Sequence, residues 1–475
     1  MVIHISSAAR KVSSSSLSPV QVVGYGVGSI GSSVMATAPA LLLLYYMTDV
    51  LGIEPGYATF GIFLPRLLDF ATDPLMGAIS DRTRSKWGPR RPYLLIGGLL
   101  SLVFTSCLFA VPAYSSKLTA LIHVVGAYTL MVIAGTIFTV PYTSMPADIA
   151  SSENDRTKMI SVRLIFVMVG ILLSGAVAQP IVALAGGGRE GFIAFSLILG
   201  ILTGGAMLVA FAATSKMSDM NVRPNFSILD QFRMIRRSKQ FRALAPAYLL
   251  QIIGAGCALG AWPYFAEYII DSGVSVSLMF LIIISTSMLS LPIWRYIMTR
   301  IGRKASYCAS AALYIASVGA MGGSAMGSDA PAFLFAAFIG MGFANGGLQF
   351  VPFAVLADIS QHTSTQENCT TAGGFTGIWF AVEKLGFALG PLLLGLVLSA
   401  TEFRASTPNT QVVQSEISLV GILIAATAIP AVLIAASAWV VASSNALQVL
   451  FNSIEAHDDN PACKTSTFIE KEVNS

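Results

Sequence analysis

At 475 residues the chain is 55% hydrophobic and only 11% charged, against about 25% charged in soluble domains. This excludes a water-soluble globular protein and leaves room for about twelve membrane spans of about 20 apolar residues each. The net charge of +4 is divided among separate loops, which argues against a nucleic-acid partner. The five cysteines, Cys107, Cys257, Cys308, Cys369 and Cys463, lack CxxC spacing and the four histidines cluster with none of them, so neither a metal site nor a disulfide framework is indicated.

Residues 1–19 are polar and Ser-rich without an apolar core, and read as a cytosolic lead, not a cleaved signal peptide. Apolar runs follow at 21–50, 58–80, 93–113, 118–146, 160–184, 191–213, 243–270, 276–298, 305–326, 331–356, 373–400 and 416–442, twelve in all. In the first of them "GVGSIG" (26–31) matches GxGxxG, yet no soluble βαβ unit surrounds it. Gly24, Gly28 and Ser32 instead recur every fourth residue and predict a small-residue face for close helix packing.

Lys and Arg collect after the second, sixth and eighth runs, in "DRTRSKWGPRR", "RMIRRSKQFR" and "TRIGRK", while "GIEPG", "SSK" and "GSDAP" hold almost none. That bias predicts cytosolic termini. The chain also repeats itself: "VPYTSMPADIA" (140–150) returns as "VPFAVLADIS" (351–360), and "GPRRPY" (88–93) has a counterpart in "GRKASY" (302–307). These spacings predict an all-α membrane protein with two pseudo-symmetric six-helix bundles, 20–213 and 243–442, and a substrate site between them. A cytosolic central loop, 214–242, joins the bundles, and within it "SILDQFRMIRRSKQF" (227–241) reads as a basic amphipathic surface helix. Residues 443–475 read as a polar, disordered cytosolic tail.

The second run carries Arg66, Asp69 and Asp73 in "RLLDFATDPLMG" (66–77). On a helix the three fall within an arc of about 60°. Lipid exposure would be costly, so this face should line the bundle interior. Two carboxylates and one guanidinium leave one negative charge, which suits a monovalent cation, either Na⁺ held by carboxylate oxygens or H⁺ on an aspartate. The competing reading is a static ion-pair staple.

"GAISDRTRSKWGPRRP" and "TRIGRK" resemble the loop 2–3 signature of the major facilitator superfamily and its second-half echo. "YYMTDVLGI", "RLLDFATDPLMG", "RSKWGPRRPYLL" and "VPYTS" resemble the glycoside-pentoside-hexuronide:cation symporters, the family of the melibiose permease. The resemblance implies a secondary transporter that carries a sugar, glycoside or related solute, acidic ones included, with Na⁺ or H⁺ by alternating access. It implies a place in a bacterial inner membrane, with no cofactor beyond the coupling ion and no enzymatic activity; a monomer is the expectation, although the sequence alone does not set the oligomeric state. Asp69 and Asp73, with Thr136 on the fourth span, would bind the cation, and Lys384 on the eleventh would take part beside Arg66 and Glu383.

At the sugar site the match is weaker. Two family carboxylates fall at Ser33 and Thr139, and a Trp falls at Thr143, while Arg163 is kept, either to read an acidic group or to pair with Glu383. Asn345 and Gln349 share one face of the tenth span and suit hydroxyls, or bonds to neighbouring helices. Tyr25 and Trp379 are candidates to stack on a sugar ring. Asp81, Arg82, Arg90 and Arg303 would form a cytosolic gate at the junction of the halves. Two other readings stay open: a passive facilitator, or a carrier of lysolipids or drugs. More remote is an intramembrane prenyltransferase using DxxxD, which needs a second Asp-rich motif that the C-terminal half does not supply.

Overall fold

Helix starts follow local chemistry. Ser18 and Gln21 form a capping box, Ser152, Ser238 and Ser415 cap with their hydroxyls, and Pro55 and Pro92 stand in first turns, where no helical N–H is needed. The computed structural model describes residues 18–150, 152–215, 238–270, 274–325, 331–367, 372–407 and 412–458. Their regular structure is helical.

In the first half, α1 (Pro19–Tyr45) runs on through a π-helical turn, Tyr46–Val50. It is followed by α2 (Pro55–Arg82), α3 (Arg91–Leu108), α4 (Lys117–Ile149), α5 (Glu153–Ala176), the short α6 (Ala178–Leu184) and α7 (Gly188–Ala213). The second half holds α8 (Lys239–Tyr268), α9 (Val276–Ala325), α10 (Pro331–Glu367) and α11 (Ala372–Ala400). Its last span is α12 (Glu416–Leu423), a second π turn (Ile424–Ala428) and α13 (Ile429–Ser443), and α14 (Asn445–Asp458) follows.

Ten described helices are long and apolar enough to cross a membrane. One of these, α9, breaks at Gly302, whose φ of 79° is open to glycine and strained for other residues, and so forms two spans. The 28-residue α2 is long enough, and falls outside the ten because of its charges. Together these make the twelve crossings expected.

Each half packs on itself. α1 lies on α5 and α7, and α3 on α4 and α7, while α8 lies on α11 and α13, and α9 on α10. The small-residue face of α1 makes one of these contacts: a Cβ on Gly24 would sit 2.4 Å from the Ala213 Cβ, and one on Gly28 2.7 Å from the Ala210 Cβ. Ser32 does not continue that face, which turns to Gly31 against Met207 and the Thr203 carbonyl. The halves meet through α2 on α11, α1 on α8 and α5 on α9.

The tail needs correction. Residues 445–458 are not disordered: α14 buries Leu447, Leu450 and Phe451, and Gln448 accepts from the Lys304 Nζ at 2.8 Å. Apolar groups at helical spacing dock it although its composition is polar. The lead through residue 17, most of the amphipathic stretch 227–241 and the tail beyond 458 lie outside the described residues.

Candidate functional site

Halfway along α2, Asp69 is buried and Asp73 lies one helical turn further on. From α4, the Thr136 Oγ1 stands 2.9 Å from the Asp69 Oδ1 and 3.2 Å from the Asp73 Oδ1. One hydroxyl proton serves two carboxylates here. From α11, in the other half, the Lys384 Nζ reaches the Asp69 Oδ1 at 3.0 Å and the Asp73 Oδ2 at 2.5 Å. Thr72 Oγ1, which donates to the Asp69 carbonyl, lies 3.5 Å from Thr136 Oγ1. Two carboxylates thus hold a single ammonium, and the Thr136 hydroxyl bonds to the same two carboxylates.

Arg66 behaves otherwise than its spacing suggested. Its Nη2 donates to the Ala36 carbonyl at 3.0 Å and its guanidinium lies 5.7 Å from the Tyr128 ring centroid. It is not described in an ion pair. Pro39 lacks the N–H that would bond the carbonyl of Met35, next to Ala36, which loosens the α1 backbone there. Lys384, not Arg66, is the cation on the aspartates, and two carboxylates with one ammonium still leave one negative charge.

Glu383, next along α11, has Tyr248 and Lys384 as its electrostatic neighbours, and one of its carboxylate oxygens is buried without a hydrogen bond. Arg163 does not reach it. The half-buried Arg163 side chain stands beside Tyr25 and Tyr142, so the expected alternative of an Arg163–Glu383 pair is not what the structure holds.

The remaining candidates divide by burial. Tyr25 is fully buried, donates to the Tyr142 carbonyl at 3.0 Å and stacks on the Tyr142 ring at 4.5 Å. Ser33 bonds to the Ser29 carbonyl of its own helix at 2.8 Å and faces Gly170 of α5. Trp379 is fully buried and stacked on Tyr248 at 3.8 Å. In this conformation the hydroxyls of Tyr25 and Ser33 are bonded to backbone carbonyls, while Trp379 is stacked but its Nε1 is buried without a hydrogen-bond partner. Asn345 donates to Ser287 Oγ of α9 at 3.1 Å. Thr139, one turn beyond Thr136, and Gln349, one turn beyond Asn345, are half-buried.

At the face carrying the basic loops, Arg90 pairs with Asp81 at 2.5 Å and with Asp148 at 3.0 Å, and donates to Ser80 Oγ at 2.6 Å. Burial pushes the Asp148 carboxyl above the usual aspartate range, Arg90 pulls it back and Asp81 adds to the rise. In the second half Arg303 pairs with Asp358 at 2.5 Å. The two repeated motifs of each half thus hold the two members of one ion pair. In this conformation, closed at the opposite face, Arg90 and Arg303 bind within their own halves. Arg82 is exposed.

The opposite face holds residues that sequence reasoning missed. The buried Asp49, in the π turn, accepts from the Tyr268 hydroxyl and from Ser406 Oγ at 3.3 Å, both in the other half. Thr48 Oγ1 lies 2.7 Å from the Tyr264 hydroxyl, and the Thr48 carbonyl accepts from the Ser406 N–H at 3.0 Å. The only signal was the motif "YYMTDVLGI" itself.

Two helical bundles joined across their midline by a lysine on two intramembrane aspartates define a transporter of the major facilitator type. Residues 24–443 match the model of the family described as MFS/sugar transport protein, and the chain belongs to that family. This bears out the resemblance read from the motifs. The chain is 29% identical over 251 residues to the putative glycoside/cation symporter YagG of Escherichia coli (strain K12), covering 52% of this chain and 54% of that protein. It thus spans about half the length of the first curated relatives it matches. The putative sulfoquinovose importer of Escherichia coli (strain K12) is 24% identical over 416 residues, 84% of this chain and 85% of that protein. Among solved structures, the nucleoside transporter NupG is similar with a TM-score of 0.62 over 88% of this chain and 99% of that one, at 15% identity, a likeness of fold alone.

Proposed function

We propose that the chain is a cation-coupled symporter of a sugar, glycoside or related small solute, in the inner membrane of a bacterium, with its basic face and both termini in the cytosol. The observation that carries this reading is the Lys384 ammonium lodged between Asp69 and Asp73 across the two halves. An ammonium in that position occupies the ground a Na⁺ or a proton would take, so arrival of the ion frees Lys384 and departure of the ion lets it return. Asp69, Asp73 and Thr136 are the cation ligands, and Lys384 is the resident counter-ion that links ion occupancy to the contact between halves. The relatives named as glycoside/cation symporter and sulfoquinovose importer support the solute class.

By the family resemblance Ser33 and Thr139 stand at positions of family carboxylates, and Arg163, beside Tyr25 and Tyr142, keeps a positive charge in the same half. The site should therefore tolerate acidic solutes. The test is a thermal-shift screen of purified protein against neutral sugars, uronates and sulfonated sugars, with and without Na⁺. The expected result is stabilisation by an acidic glycoside at least equal to that by its neutral analogue, a preference that Arg163→Ala removes. Stabilisation by neutral sugars alone would refute the acidic preference. Indifference to both Na⁺ and pH would refute cation coupling.

A further inference from the structure

The motif "YYMTDVLGI" has no part in the cation site, yet its aspartate is a buried charged group, 7% exposed, on the face opposite the basic loops. With the orientation proposed above that face is extracellular, and the inference rests on that orientation only for the word. Thr48 and Asp49 reach Tyr264, Tyr268 and Ser406 by side chain and backbone, so one turn of the first half is tied to two segments of the second. A second clasp lies on α6 and the start of α9. The Gln179 N–H donates to Ser277 Oγ at 3.2 Å, the Ser277 N–H donates back to Gln179 Oε1 at 3.4 Å, and Ser277 Oγ donates to the Gly175 carbonyl at 2.8 Å.

Between the two clasps lies a cavity of about 440 Å³ lined by Tyr45, Asp49, Gln179, Tyr268 and Ser406 among others. The seam is therefore not a filled apolar core. Parting it exchanges hydrogen bonds within the protein for hydrogen bonds to water, a trade of small net free energy. A dry, interdigitated seam would instead expose apolar area and resist opening. The π turn fits the same role. Its widened backbone, Tyr46–Val50, turns both Thr48 and Asp49 toward the second half at the very end of α1, and single π turns recur where helices carry functional contacts.

We propose that Asp49 is the keystone of an extracellular gate: its bonds to Tyr268 and Ser406 select the conformation closed to the outside, and their exchange for water accompanies opening. Asp49 is a positioning residue; it does not bind the coupling ion. An isosteric Asp49→Asn keeps the volume and removes the charge that strengthens both bonds, so the population should shift toward the outward-open form.

The experiment is a distance measurement on full-length protein in nanodiscs, with the five native cysteines replaced by alanine. Spin labels go at Leu118→Cys and Ile417→Cys, both exposed and at the starts of α4 and α12, one in each half. With Asp49 intact the short distance should dominate. Asp49→Asn should raise the long-distance fraction at least fivefold, and Tyr268→Phe, which removes one hydroxyl and is the gentler change should Asp49→Asn not fold, should raise it by a smaller factor in the same direction. An unchanged distribution in a folded variant overturns the proposal, and so does an equal rise in Arg82→Ala on the basic face. The measurement uses neither solute nor coupling ion, so its failure leaves the proposed transport function standing, and the failure of that function leaves the gate standing.

Discussion

The two ends of the molecule are built from different interactions. On the basic face Arg90 with Asp148 and Arg303 with Asp358 are charged pairs, and each closes inside its own half. On the opposite face the contacts are hydrogen bonds, and they cross from half to half. In the proposed cycle, pairs within a half would stiffen a part that moves as a body, while the bonds between halves would make and break. At mid-depth Lys384 combines the two: it is charged and it crosses. The conformation is accordingly closed at the face away from the basic loops.

The most damaging change should be at that crossing point. Asp73→Asn should cut cation-driven uptake by at least about 100-fold, measured as concentrative uptake in proteoliposomes, with the protein still folded and Lys384 left on Asp69 alone. Unchanged uptake would mean that the mid-depth pair is only a staple. Next, Asp148→Asn should destabilise by about 1–3 kcal/mol, read as a lower melting temperature in detergent, because Arg90 loses one of its two carboxylate partners among the described residues. If the same change instead altered the spacing of the halves, the contrast between the two ends would collapse.

A smaller effect is expected at the rim. Asp81→Asn should slow transport by a factor of about three to ten, equivalent to about 1 kcal/mol, while solute binding measured by calorimetry persists; binding lost together with transport would place this loop at the solute site. Least of all, Ser33→Ala should change stability by no more than about 0.5 kcal/mol, since its hydroxyl bonds only to carbonyls of its own helix. A loss of solute affinity in that variant would show that Ser33 turns into the cavity in another conformation.

Much of this was legible in the sequence for identifiable reasons. A span must be apolar for its whole length, so all twelve could be read, and α2 betrayed itself because three charges in hydrocarbon demand partners. Lys384 could be found as an unexplained charge at the middle of another span. Arg66 misled because helical spacing gives direction and not reach: its long side chain passed its neighbours for a carbonyl on α1. For Tyr25 and Trp379 the sequence shows only an aromatic ring, which suits a sugar face and another ring equally well, and in this conformation tyrosine rings stack on them. Asp49 was invisible as a contact because its partners lie 219 and 357 residues away. α14 was hidden by the polar residues mixed through it, although its apolar groups kept helical spacing.

The Lys384 ammonium is a ligand for the aspartates that is tied to the same polypeptide. A tethered competitor acts at an effective concentration of about millimolar or more, and no change in the medium dilutes it. A mobile cation must displace it, so in the proposed cycle its apparent dissociation constant is the intrinsic one divided by the share of molecules in which the lysine has left the aspartates. Such a transporter would trade ion affinity for ion turnover. Loading requires the concentrated side of a gradient, and unloading on the dilute side is completed by the protein's own side chain, with no second ion needed to finish the exchange.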